Sequence, residues 1–232
     1  MIPIVSLFNL VSALFFGGIS VKLYSSYKKS NDENLKDFFY TFLYSSIMFI
    51  IMALPGTVSR DLVFVGLIYA VYPLFSFLSL SYFGQIPLRI LSWQKVRKLF
   101  SVSMKALGFL VVFIDILNWG PAVFHQQQPF AYWEDSRGEA MNIFVGSVLG
   151  LSFLLIFIFF IIQGMKSSER YLKIRAFLIA GGVVFIILGS LINFVFGASA
   201  LEYIDTLISS LFIVFSTILI SAGVYYKPKS VS

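Results

Sequence analysis

The sequence predicts an all-α integral membrane protein: a seven-transmembrane-helix bundle with its N-terminus outside and its C-terminus in the cytoplasm. Three observations predict it. The 232-residue chain is 59% hydrophobic and only 12% charged, about half the charge that covers an ordinary soluble domain. Seven stretches meet or approach the roughly 20 apolar residues that a helix needs to cross a bilayer core. Lastly, 15 of the 17 Lys and Arg residues fall on alternate connections and the tail, the side that the positive-inside rule makes cytoplasmic.

The first stretch, Ile2–Leu23, lacks a basic leader and runs into Lys22 and Tyr24 instead of a small-residue cleavage site. It therefore reads as a span, not as a cleaved signal peptide. The second, Phe38–Pro55, is short and ends on a proline. The third, Leu62–Gln85, carries Pro73 as an expected kink, with Tyr72, Ser76 and Ser79. The fourth, Val102–Trp119, has Lys105 near its start and Asp115 in its body, which makes it the least apolar reading of the seven. The fifth, Met141–Met165, holds Gly146 and Gly150 in a small-xxx-small arrangement. The sixth, Ala176–Gly197, repeats Gly189, Asn193 and Gly197 at spacing four. The seventh, Thr206–Tyr226, places Thr206, Ser210, Thr217 and Ser221 on one face. Such small and hydroxylated faces are expected to let helix backbones approach closely.

The connections set the orientation. Lys22, Lys28, Lys29 and Lys36 follow the first span; Arg89, Lys95, Arg97, Lys98 and Lys105 follow the third. Lys166, Arg170, Lys173 and Arg175 follow the fifth, and Lys227 and Lys229 end the chain. Only Arg60 and Arg137 fall on the other side, amid Asp61, Glu134, Asp135, Glu139, Glu202 and Asp205. The sequence pI of about 9.4 thus reflects a cytoplasmic face that attracts anionic membrane lipids, and no nucleic-acid partner is expected. The whole chain, 1–232, reads as a single domain. Within the link Ile86–Phe100, Ile86, Ile90, Trp93 and Val96 fall near one helical face among basic residues, a pattern suited to the membrane interface.

The outer link Gly120–Glu139 is about 20 residues long, and loops of that length in compact bundles are usually functional or disordered. It holds His125, which is the only histidine, and Tyr132 and Trp133 beside an acidic pair. The aromatics are expected to pack down on the bundle or to mark the interface, and the bland reading of His125 is a solvated loop residue. These three are the candidates for an outer lid.

Ionisable groups at membrane depth are functional candidates by default. Asp115 is the only acid well inside a span, and Asn118, three residues on, shares its helical face. Asn193 near the outer end of span six and Asp205 before span seven lie at similar or shallower depth. These four are the ligand- or proton-binding candidates; the competing reading is an inter-helix hydrogen bond at Asp115 and solvated acids favoured by a helix N-terminus at Asp205.

Much is excluded. With no cysteine and one histidine, disulfides, thiolate sites, bis-histidine haem and multi-histidine zinc are absent, so no metal site, no cofactor and no catalytic residue is expected. No lysine lies between Asp205 and Lys227 to carry retinal, no serine–histidine pair lies at membrane depth, and no glycine-rich phosphate loop precedes a cytoplasmic helix. Seven spans with an outward N-terminus are similar in outline to the SWEET sugar transporters, but the paired helical prolines which that likeness implies are missing from spans five and six.

The stretch SSERYLKIRAFLIAGG entering span six, the GSLINF that follows, and the outward N-terminus resemble the seven-helix sensory region of prokaryotic histidine kinases and related signalling proteins. The resemblance covers most of the chain as pattern rather than motif. It implies a receptor that feeds an output domain; here the tail KPKSVS follows Tyr226, so signalling would use a partner chain. The function expected is a non-enzymatic, receptor-like sensor or accessory subunit of the cell membrane, acting through a partner protein or as a homo-oligomer on an unidentified small-molecule ligand. The alternative is a small proton- or cation-linked transporter or channel, lined by the hydroxyls of spans three and seven.

Overall fold

A computed structural model describes residues 3–127, 130–134, 138–196 and 202–226; within these, the side chains of 126, 127, 130, 132, 134, 139, 193–196 and 202–207 are outside the description. Among the described residues, seven helices are long and apolar enough to cross a membrane, one for each predicted span. They are α1 (Ile4–Ser30), α2 (Glu33–Thr57), α3 (Leu62–Phe83, continued by the short α4, Gln85–Ile90), α5 (Gln94–Leu117), α6 (Glu139–Lys166), α7 (Arg170–Phe196) and α8 (Glu202–Tyr225). Several outrun their hydrophobic stretches at the lysine-rich end, because polar residues such as Tyr24–Ser30 and Gln94–Ser101 still propagate a helix that the apolar run has nucleated.

The chain divides into two compact units, Met1–Leu149 and Gly150–Ser232. In the first, α1, α2, α3 and α5 pack as successive antiparallel neighbours. Their ends are fixed by local chemistry. Asn31 takes a left-handed φ of 53° and closes α1 by donating its N–H to Tyr27 O. Asp32 and Asp61 cap α2 and α3, their carboxylates accepting the N–H groups of Asn34, and of Val63 and Phe64, the usual role of Asp at an N-terminus. Near its end α2 is interrupted: Pro55 is extended and Gly56 has φ 73°, a conformation open to glycine and costly to a side chain.

Ser76 and Ser79 of α3 are spent on packing. Ser79 Oγ donates to Thr41 O (3.0 Å) and lies 2.9 Å from Ser45 Oγ, while Ser76 Oγ faces Met48 Sδ at 2.9 Å. All three contacts tie α3 to α2.

In the second unit, α7 and α8 are antiparallel and nearly touch. A Cβ on Gly182 would stand 2.5 Å from Ile220 and 2.8 Å from Ser216 O; one on Gly189 would stand 3.3 Å from Ser209 O. Ser209 Oγ donates to Gly189 O, and the Thr217 and Ser221 hydroxyls bond carbonyls of their own helix. Arg175 donates to Gly223 O and Val224 O, placing a cation on the last carbonyls of α8, where the helix dipole favours it. Gly146 and Gly150 behave otherwise: among the described residues no atom beyond their own stretch of helix lies within 4 Å of a Cβ built on either, so the close approach expected of this pair is made by Gly182 and Gly189 instead.

Two connections differ from the sequence reading. The link 86–100 is not one amphipathic helix: it breaks at Ser92, which has φ 59°, so Ile86 is buried while Ile90, Trp93 and Val96 are exposed. The outer link, within an otherwise helical fold, forms an antiparallel hairpin of β1 (Val123–Gln127) and β2 (Phe130–Glu134). Its alternation explains why: Ala131 and Trp133 point into the molecule, and period two is the repeat of a strand.

Candidate functional site

The hairpin is fastened to the ends of three helices. Ala122 N–H donates to Leu62 O (2.9 Å), and Tyr69 Oη donates to Trp133 O (2.8 Å). Trp133, 6% exposed, joins Val65, Ala122 and Ala131 in one apolar cluster against Tyr69. Its indole covers Gly56, where an added Cβ would stand 2.5 Å from the ring. Ser6 Oγ donates to Pro55 O beneath it. A second close approach lies at Gly66, where a Cβ would sit 2.3 Å from Gly120 O.

At this hairpin end the first unit holds a cavity of about 350 Å³, lined by Gly66 and Tyr69 of α3, Asp115 of α5, Asn118 and Trp119 beyond it, and Met141 of α6, among others. Its volume falls in the range of small-molecule sites. Asp115 is 7% exposed. Asn118 ends α5, its N–H and its side-chain Nδ2 both bonding Ile114 O, and is exposed. One turn deeper on α5 and α6, and further along α3, the buried residues Val111, Val145 and Phe77 pack together. The cavity therefore ends on an apolar layer.

Of the sequence candidates, the structure brings Asp115 and Asn118 to this cavity. Trp133 belongs to the packed base of the hairpin and not to the cavity wall. His125 is half-buried on β1, its Cα paired with that of Tyr132. The side chain of Tyr132 lies outside the described residues, as do those of Asn193 in α7 and Asp205 in α8, so the meeting of all four polar candidates rests on the sequence alone. Tyr69, Trp119 and Met141 were not singled out by sequence; the signal for them was faint, since each is an ordinary aromatic or apolar residue at a span end.

The opposite end carries a charged cluster that sequence reading also passed over. Asp37 of α2, 3% exposed, meets Arg89 of α4 with Oδ2 and Nη2 2.6 Å apart. It is a close ion contact without an aligned hydrogen bond on Oδ2. Arg89 also reaches Glu33 (3.7 Å), and Glu33 pairs with Lys36 (3.3 Å) in a more exposed position. The pair ties the start of α2 to the residues that follow α3. The i, i+4 spacing of Glu33 and Asp37 was visible in the sequence, but their partner is far along the chain.

No protein-family model matches this chain, and no curated protein matches it significantly.

Proposed function

We propose that this is a non-enzymatic, multi-pass protein of the cell membrane, a receptor-like sensor or accessory subunit that acts through a partner. The hairpin end of the first unit faces outward, and its opposite end, which bears Lys28 and Arg89, faces the cytoplasm. The cavity carries this reading. A buried carboxylate, a carboxamide and aromatic walls stand at one end of the first unit, over an apolar floor. Such a pocket suits recognition of a small molecule better than passage of one. The use of the α3 serines in α2–α3 bonds points the same way, since those hydroxyls were the expected lining of a pathway.

Two experiments test it. Reconstituted in liposomes, the protein is expected to give no saturable flux of protons, Na⁺ or K⁺. Saturable flux abolished by Asp115→Asn would make it a transporter instead. In native mass spectra of protein taken from its own membranes, a second polypeptide is expected, and Asp115→Asn is expected to leave the chain folded while changing what is retained. If Asp115→Asn only prevents assembly, Asp115 is structural and the ligand reading fails.

A further inference from the structure

Lys105 is the basic residue set deepest along an apolar helix. It stands on α5 seven residues, or roughly 10 Å of helix, beyond Lys98, and is half-buried. Its Nζ lies 4.7 Å from the centre of the Tyr82 ring. Tyr82 in turn clusters with Tyr40 (4.7 Å, 26°) and Tyr44 (5.7 Å, 20°) of α2, which are themselves 6.2 Å apart. Among the described residues no carboxylate lies within ion-pair distance of Lys105; the acidic groups nearby pair with Arg89 and Lys36. A cation at this depth needs a partner, and one left without an acid marks a functional position.

The surroundings say what that partner is. Lys98, Val102, Lys105 and Phe109 follow one another at i, i+4, i+7 and i+11 and so form one stripe of α5. Val102 is 65% and Phe109 61% exposed, while Lys98 is exposed as well. The stripe thus alternates a cation near the basic end, an apolar side chain, a second cation and a further apolar side chain, beside amphipathic tyrosine rings. A lysine ammonium at the end of a four-carbon stem reaches toward the interface. A phosphodiester with acyl chains would meet each of these features, its charge between the lysines and its chains along Val102 and Phe109. Basic pockets between helices on the cytoplasmic side hold anionic lipid head groups by this chemistry.

We infer that the α5 stripe from Lys98 to Phe109, with the cluster of Tyr40, Tyr44 and Tyr82 as its side wall, is a binding site for one anionic phospholipid. The inference rests on the membrane reading above but not on the outer cavity. The test is native mass spectrometry of the full chain in mild detergent, with phosphatidylglycerol and phosphatidylcholine of matched chains supplied together. Wild type should retain phosphatidylglycerol in preference, by about fivefold for each basic residue engaged. Lys105→Gln should remove that preference, while Lys105→Arg and the remote control Lys29→Gln keep it. Equal retention of the two lipids by wild type, or an undiminished preference in folded Lys105→Gln, would overturn the proposal. Should Lys105→Gln fail to fold, Lys98→Gln, at the exposed end of the stripe, should reduce the preference, and an undiminished preference in that variant would overturn the proposal. Cysteine labelling of the loops reads orientation independently, so a failed lipid site and a failed membrane reading give different results.

Discussion

Trp133 holds the hairpin by shape. Its ring fills the space over Gly56 and among Val65, Ala122 and Ala131, yet its Nε1 is buried without a hydrogen-bond partner among the described residues. Trp133→Ala should therefore cost about 3–5 kcal/mol, as emptying a large aromatic site does. Trp133→Phe should cost less than about 1.5 kcal/mol, since it keeps a ring and removes an unsatisfied donor. Thermal unfolding in detergent with the two variants compared would check this; equal losses would mean that the ring is not the anchor. Gly56→Ala meets the same ring and also a φ that costs a side chain about 1–2 kcal/mol, so it should be worse than either effect alone. That an aromatic of this link packs down on the bundle was legible only as one of two open readings, and Trp133 does so. Which one becomes the anchor was not legible, because it depends on a turn in α2 more than seventy residues away in sequence.

At the scale of elements, hydropathy located all seven long helices, since the apolar run needed to cross a bilayer is long enough to read by eye. It could not locate the hairpin, whose five-residue strands alternate too briefly to stand out, nor the break at Ser92, where a left-handed residue without glycine's signature closes α4 and the N–H groups of Ser92 and Trp93 return to Arg89 O and Leu88 O. The glycines show the same limit: Gly146 and Gly182 look equivalent as small residues, and only packing separates them. Gly182→Ala should push α7 from α8 and cost about 1–3 kcal/mol, whereas Gly146→Ala should be neutral or slightly stabilising through helix propensity. The charged cluster is graded likewise. Asp37→Asn should cost about 3–5 kcal/mol by leaving Arg89 half-sheltered without its closest partner. Glu33→Gln, in a pair that is largely exposed, should cost less than about 1 kcal/mol. A double variant Asp37→Asn/Arg89→Gln that lost the sum of both single losses would show that the two side chains do not interact.

For the molecule as a whole, the strongest statement the residues make is one of sides. In the sequence, Arg60 and Arg137 stand alone against fifteen basic residues on the alternate connections and the tail, and in the first unit the helices place Lys28, Lys29 and Lys36 at the opposite end from Arg60. Because the chain has no cysteine, single cysteines introduced at exposed Ser30 and Val58 report the two ends without background. An impermeant maleimide applied to intact cells should label Val58→Cys and spare Ser30→Cys; the reverse pattern would invert the topology. The Asp37–Arg89 contact then acquires a meaning in time. A chain made from its N-terminus completes α1 and α2 while Arg89 is still unsynthesised, with all of α3 to come. Until α4 folds back, the carboxylate at the foot of α2 waits for its counter-ion, so the α1–α2 pair matures only on delivery of the third span. Nascent chains arrested before Arg89 should accordingly be degraded faster than chains arrested just beyond it, and Asp37→Asn should erase that difference.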